Sequence, residues 1–405
     1  MNRNWLTSHL ISLNSFILIA AGLGTVAGLY FPQLYPFADV VSETVISLLK
    51  LISLPLIFFS VTATISGMSS VDEMRLIGRK VIKYTISTTV IAATVALIIF
   101  LIIDPTASDF VCEVANGDDF GGYFDFMCKL VPSNVVTTFA ENNVIGIMLI
   151  ALGLSFATLT LPEENKQSLN LFFSSFFAVL LRITQAMVYV IPVGVWAFTV
   201  LFIKNIKVEP GNDLRKLALY VICILLANFV QGFIVLPLFL KWKGYKPFAS
   251  LKGMSPALSV AFFSRSSNIA LPMTMECTQR TFGVSEKVSN ITLPLCSTIN
   301  MNACAAFILT TVLFVAQSSG MVFSLFDMIL WIFIATIAAI GNAGVPMGCY
   351  FLSGALLTTM NVPLELLGVI LPLYALIDMF ETAVNVWSDS CVAAMVQKEV
   401  PFDTF

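Results

Sequence analysis

Residues 264–268 read Ser264-Arg265-Ser266-Ser267-Asn268, a polar run inside an apolar stretch, 250–284, and Leu271-Pro272 follows it closely. Two further stretches are broken in a similar way. Segment 321–361 is interrupted by Gly341-Asn342-Ala343-Gly344-Val345-Pro346-Met347-Gly348, and 288–317 by Thr298-Ile299-Asn300-Met301-Asn302. A helix needs about 20 residues to cross a bilayer, and each apolar half of the first two stretches has only about 12–15. Those halves are expected to enter the membrane and turn back as re-entrant hairpins, rather than to be short spans joined by surface loops. Non-helical backbone at membrane depth must be buried in protein or line a cavity, because hydrocarbon cannot satisfy its NH and CO groups. Paired interruptions of this kind point to the binding site of a secondary transporter.

The last apolar segment, 366–397, carries Asp378, Glu381, Thr382, Asn385 and Asp389. At about 100° per residue these fall near 0°, 300°, 40°, 340° and 20°, one stripe less than a third of the circumference wide. The other faces carry Leu376, Met379, Phe380, Val384 and Trp387, which speaks against a soluble amphipathic helix. An acidic group at the bilayer centre costs roughly 2.5–3.5 kcal/mol, so three together call for a compensating cation or partner.

The rest of the chain agrees with a membrane solvent. Of 405 residues, 58% are hydrophobic and 11% charged, and the mean hydropathy is +0.91. A soluble protein of this length needs far more charge on its surface. Ile11–Tyr30, Val45–Met68, Val81–Ile103, Ile145–Leu161 and Leu217–Leu240 read as spans. The first lacks a small-residue cleavage site and is read as a span, not as a removed signal. Gly22, Gly24 and Gly28 inside it are expected to serve helix packing, not a nucleotide loop.

A net charge of −3 argues against a nucleic-acid partner. His9 is the single histidine, which nearly excludes histidine-dependent triads and histidine-rich metal sites. The eight cysteines show no Cys-x-x-Cys spacing. Cys112 and Cys128 share a polar loop and are candidates for an external disulfide. The other six lie in apolar segments and read as small inert hydrophobes. An intramembrane enzyme needs a nucleophile–base pair or a metal set. Asp378 and Asp389, about 16 Å apart along one helix, are too distant to share a proton. A channel needs a continuous polar pore, whereas these polar groups gather at one level.

Loop charges give an orientation. Arg75, Arg79, Lys80 and Lys83 follow the second span, and Lys241, Lys243, Lys246 and Lys252 follow Leu240. The 104–130 loop is acidic, with Asp109, Glu113, Asp118, Asp119 and Asp125. The positive-inside rule puts the N-terminus and both basic loops in the cytoplasm, with Lys204, Lys207, Arg215 and Lys216 as a dissenting group.

The run Phe262-Phe263-Ser264-Arg265-Ser266-Ser267, with Leu271-Pro272, Thr298-Ile299-Asn300-Met301, Gly344-Val345-Pro346 and the Asp378, Thr382, Asn385, Asp389 series, resembles the dicarboxylate/amino acid:cation symporter family. That family includes archaeal aspartate transporters and neuronal glutamate transporters. Val131-Pro132-Ser133-Asn134 and Pro192-Val193-Gly194-Val195 extend the likeness over most of the chain.

The resemblance implies an all-α polytopic membrane protein of eight transmembrane helices plus two re-entrant hairpins, an elevator motion and a homotrimer. It divides the chain into 1–78 (scaffold helices one and two), 79–104 (moving helix three), 105–213 (external loop, scaffold helices four and five) and 214–405 (helix six, hairpin one, helix seven, hairpin two, helix eight). It implies an amino acid substrate, sodium as coupling ion, no organic cofactor, and residence in the plasma (inner) membrane.

Carried onto this sequence, the substrate site takes Ser266, Ser267, Cys304, the backbone around Val345, Asp378, Glu381, Thr382 and Asn385. Arg265 is the gating charge partner. The first sodium site takes Cys296, Asn300, Asn385 and Asp389. The second takes Thr298, Met301, Ile340 and Asn342, and the third Thr85, Thr88, Thr89 and Asn302 together with Asn300. The chemistry suits these roles: Asp378 is a natural acceptor for a solute ammonium, while Asn385, Ser267 and hairpin NH groups can donate to its carboxylate.

Two positions depart from the acidic-substrate members. Glu381 stands where they hold an arginine for the solute's side-chain carboxylate, and Asn302 stands where sodium-coupled aspartate carriers have aspartate. The first disfavours aspartate and glutamate, unless Arg265 reaches across. Glu381-Thr382 and Arg265-Ser266-Ser267 instead resemble the bacterial sodium/serine–threonine symporters. The expectation is a carrier of small neutral amino acids, with acidic amino acids or dicarboxylates as the alternative and fewer coupled ions.

Overall fold

The computed structural model describes residues 16, 19–67, 72–106, 133–140, 144–208, 212–342 and 347–400. The described residues are helical throughout apart from short turns. Helix α1 (Ile19–Tyr30) leads through a 3-10 turn at Pro32–Leu34 into α2 (Tyr35–Ser66), and α3 is Asp72–Ile103. Then come α4 (Val135–Ala140), α5 (Val144–Leu159), α6 (Glu163–Val188) and α7 (Ile191–Val208). Helix α8 (Asn212–Val230) runs through one π-helical turn, Gln231–Val235, into α9 (Leu236–Trp242). The remainder is α10 (Pro247–Ser264), α11 (Ser267–Phe282), α12 (Glu286–Ile299), α13 (Asn302–Ser318), α14 (Leu325–Gly341), α15 (Gly348–Thr359) and α16 (Glu365–Glu399).

All three interruptions are breaks in helices. The halves of the first stretch, α10 and α11, have 18 and 16 residues, and those of the second, α14 and α15, have 17 and 12. Most halves exceed the expected 12–15 because helix continues closer to each tip than the polar residues suggest: Ser267 and Asn268 already belong to α11. By length and apolar character, Ile77–Ile103, Leu214–Trp242, Glu286–Ser318 and Glu365–Glu399 can each cross a membrane.

Packing gathers the helices into two sets, which share one core where α16 meets α7 and where α14 and α15 meet α2. Helix α2 packs on α5, α6 and α7, with Phe58, Phe59, Phe172, Phe173 and Phe176 meeting between α2 and α6. Helices α3, α8 and α10–α16 pack on one another around α13 and α16. In α13 every side chain from Asn302 to Ala316 is buried, as expected of a central helix surrounded by protein. Gly24 and Gly28 let α1 approach α7: a Cβ would come within 2.7 Å of the Trp196 carbonyl or of Ile203. Gly22 faces open space, so the packing reading holds for two of the three glycines.

The far end of α16 is tied down by charge. Glu399 accepts from Lys80 at 2.9 Å and Lys243 at 2.6 Å, and also from the Tyr84 hydroxyl. Lys80 lies in the opening turns of α3, so the basic run 75–83 that read as a loop is helical, and Lys243 follows the end of α9; the two basic segments meet on the same side of the molecule. Lys204, from the dissenting group, pairs instead with Asp39 at 3.9 Å. The Cys112–Cys128 loop, His9 and Val345 lie outside the described residues.

Candidate functional site

The first tip is built by local backbone chemistry. Helix α10 ends at Arg265, whose φ of 51° is left-handed and unfavourable for a residue with a Cβ. Ser266 then caps α11, its side chain accepting from the Ile269 NH at 3.3 Å. The turn buries both Arg265 and Ser267. Among the described residues Arg265 forms no ion pair within 4 Å. The second break ends likewise in a left-handed non-glycine residue, Met347, with φ 59°.

The helices of the first hairpin pack against α16, which carries the acidic face. Asp378, Glu381, Thr382, Asn385 and Asp389 are all buried, while Leu376 and Phe380 are exposed, so the stripe read from the sequence faces the protein interior. Asp378 accepts from the Tyr374 hydroxyl at 3.3 Å, and Thr382 donates to the Asp378 carbonyl at 2.8 Å. Glu381 is 1% exposed, and among the described residues both of its carboxylate oxygens lack a hydrogen-bond partner. A carboxylate so placed is costly unless an occupant supplies a proton donor or a cation.

The break between α12 and α13 inserts a polar knot beside this face. Asn300 donates from Nδ2 to Ser388 and to Asp389, both at 2.9 Å, and Asn302 donates to the same Ser388 hydroxyl oxygen at 2.7 Å. Asn385 accepts from the Ala303 NH at 2.9 Å. Helix α3 supplies the opposite wall. Thr89 donates to Asn302 Oδ1 at 2.8 Å, and Thr88 Oγ1 lies 3.4 and 3.3 Å from Asn300 Oδ1 and Asn302 Oδ1. Thr88 has one proton and is also 2.9 Å from the Tyr84 carbonyl, and the buried Thr85 hydroxyl neighbours the Cys296 thiol. Oxygens here outnumber the protons available to them, which is the donor set of a hard cation.

The structure therefore brings together Thr85, Thr88, Thr89, Asn300 and Asn302, and it joins Asn300 to Asp389. Buried Cys296 adjoins the break through its carbonyl, which accepts from Asn300 NH at 2.8 Å. The residues expected for a second sodium are arranged differently. The Thr298 hydroxyl donates to the Leu295 carbonyl at 2.7 Å, Ile340 is half-buried, and Asn342 turns its Nδ2 toward Cys304 and Cys349 at 3.2 and 3.3 Å. Met301 approaches Asn385 instead, at 3.6 Å.

Reading six cysteines as inert filler fails for two of them. Cys304 on α13 and Cys349 on α15 are joined as a disulfide pair, with Cα atoms 5.5 Å apart. They are 45 residues apart in sequence, and only the return of α15 onto α13 brings them together. Cys223, Cys277, Cys296 and Cys391 are buried and free. Ser388, Tyr374 and Cys349 are site residues that sequence reasoning missed. Ser388 carried a signal, since it precedes Asp389 and lies one turn after Asn385.

The chain matches the sodium:dicarboxylate symporter family over residues 13–399. The human neutral amino acid transporter B(0) is 26% identical over 398 residues, covering 88% of this chain and 73% of that protein. Its rabbit (Oryctolagus cuniculus) counterpart is 26% identical over 428 residues, covering 95% and 77%. Mouse excitatory amino acid transporter 3 is 27% identical over 416 residues, covering 88% and 78%. Because the family match takes in both hairpin-like breaks and the whole acidic face, this chain belongs to the sodium:dicarboxylate symporter family, and is an integral membrane transporter and not an enzyme.

Proposed function

We propose that the chain is a sodium-coupled symporter that imports small neutral amino acids of the serine and threonine kind. The observation that carries this reading is Glu381, buried on the acidic face with both carboxylate oxygens unpartnered among the described residues. A serine or threonine hydroxyl satisfies it; a second carboxylate is repelled. Asp378 takes the solute ammonium, while Ser266, Ser267, Asn385 and the backbone near Val345 take its carboxylate. Thr382 and Cys304 line the same space. The human relative's description as a neutral amino acid transporter supports the solute class.

Sodium enters through the oxygen-rich knot formed by α3, the α12–α13 break and Asp389. The two packing groups support an elevator in which 79–104 and 214–405 move against a scaffold of 1–78 and 105–213, within a homotrimer. The shared anchoring of Lys80 and Lys243 on Glu399 supports placing both basic segments in the cytoplasm, with the N-terminus, in a plasma (inner) membrane.

The alternative solute class is acidic, favoured by the buried Arg265 with no ion pair within 4 Å among the described residues, and by the likeness to excitatory amino acid transporter 3. Proteoliposomes with an inward sodium gradient distinguish the two. Labelled serine should accumulate, and alanine and threonine should compete far better than glutamate. Accumulation of glutamate with no competition from serine refutes the neutral reading, and uptake driven by protons without sodium refutes the ion assignment.

A further inference from the structure

Cys304, Cys349 and Glu381 come from three different elements, α13, α15 and α16. Their sulfur and carboxylate ligand atoms all lie within 4.8 Å of one another, and all three residues are buried. Among the described residues neither Glu381 carboxylate oxygen has a hydrogen-bond partner, and nor does the buried Asn342 Oδ1. Asn342 reaches both sulfurs with Nδ2, so a half-turn of its amide brings Oδ1 to the same point. We infer that, with both thiols reduced, these residues bind a thiophilic divalent cation of the zinc class.

The donor set suits such an ion. Zinc takes thiolate sulfur at about 2.3 Å and carboxylate oxygen at about 2.0–2.2 Å in a tetrahedron, whose edges are about 3.3–3.8 Å long. Once reduced, the two sulfurs move apart to such an edge, and the carboxylate, already within 4.8 Å of them, moves in. The ion resolves the uncompensated carboxylate, and the two thiols lose their protons to solvent as it binds. Sodium and other hard cations prefer all-oxygen sites, so this locus is distinct from the knot around Asn300. Oxidation to the disulfide removes both sulfur ligands, so metal and disulfide are mutually exclusive states. Because the ligands lie on both sides of the second break, a bound ion clamps α15 against α13 and α16.

The inference is independent of which solute is carried, because binding is read on the protein itself. The full-length carrier is purified, reduced, freed of reductant and titrated with cadmium, following cadmium–thiolate charge-transfer absorbance and equilibrium dialysis. One cadmium per protomer is expected at this site, displaced by zinc. Cys304→Ser with Cys349→Ser should weaken it by roughly 100-fold and Glu381→Gln by roughly tenfold, while Cys277→Ser leaves it unchanged. Wild-type protein oxidised with diamide, which takes up the two electrons and two protons of the pair, should lose the same equivalent; this arm decides if the double variant does not fold. Unchanged stoichiometry and affinity in the double variant, or in the oxidised wild type, overturns the site.

Discussion

Replacing Glu381 by glutamine preserves the side chain's shape and removes its charge, which isolates the reason this carrier should refuse acidic solutes. Take a solute side-chain carboxylate about 4.8 Å from Glu381. At an effective dielectric of ~20, like charges at that spacing repel by about 3.5 kcal/mol, about 300-fold in affinity. Exchanging a charged hydrogen-bond acceptor for a neutral one weakens the hold on a serine hydroxyl by only about 1 kcal/mol. Glu381→Gln should therefore lower the glutamate concentration that halves serine uptake by on the order of 100-fold, while raising the serine KM by about fivefold. The assay is competition in proteoliposomes at saturating sodium. If glutamate inhibition stays within about threefold of wild type while serine KM changes, the charge is not what excludes acids. The electrostatic reasoning then fails.

Asp389 is buried and accepts from Asn300; Asp389→Asn should cost roughly 2–5 kcal/mol of sodium binding, raising the half-saturating sodium by at least about 30-fold. An unchanged sodium titration removes Asp389 from the ion site. Asn302→Asp adds a charge beside Thr88 and Thr89 and should increase the sodium-to-serine ratio measured from opposing gradients; the same ratio in both proteins counts against a third ion there. In Gly348→Ala the new Cβ would overlap Asn342 Oδ1. Overpacking costs about 1–3 kcal/mol, so thermal unfolding should move down by several degrees and serine KM should rise; a variant indistinguishable from wild type means that the second tip yields freely.

Part of this was legible in one dimension. The acidic stripe needed only helical periodicity, because a helix of 35 residues fixes the relative direction of every side chain along it. The breaks at Arg265 and Asn300 were visible because polar residues in an apolar stretch have few places to go at membrane depth. Helix ends were less legible: Ser267 and Asn268 read as loop but form the capped first turn of α11, a local hydrogen bond overriding polarity. Contacts made by chain return carried no signal. Cys304 with Cys349, and Asn342 with both, depend on where α15 lands on α13, and no spacing rule reports that. Ser388 was overlooked for a different reason: serine in a helix normally satisfies itself on the preceding turn, so its place beside Asp389 and one turn after Asn385 was outweighed.

The two amides that converge on Ser388 have a consequence for direction. Asn300 and Asn302 both spend their NH2 groups on α16, so both carbonyl dipoles turn toward the threonines of α3. The knot is thus a polarised element, with a proton-rich edge on one side and an electron-rich edge on the other. A cation arriving along α3 meets oxygens already aimed at it and has little reorganisation to perform. On the α16 side it meets amide hydrogens and must displace an Asn300–Asp389 bond first. By orientation alone the α3 side is the easier approach for a cation, and reaching the Asp389 side costs one hydrogen bond more.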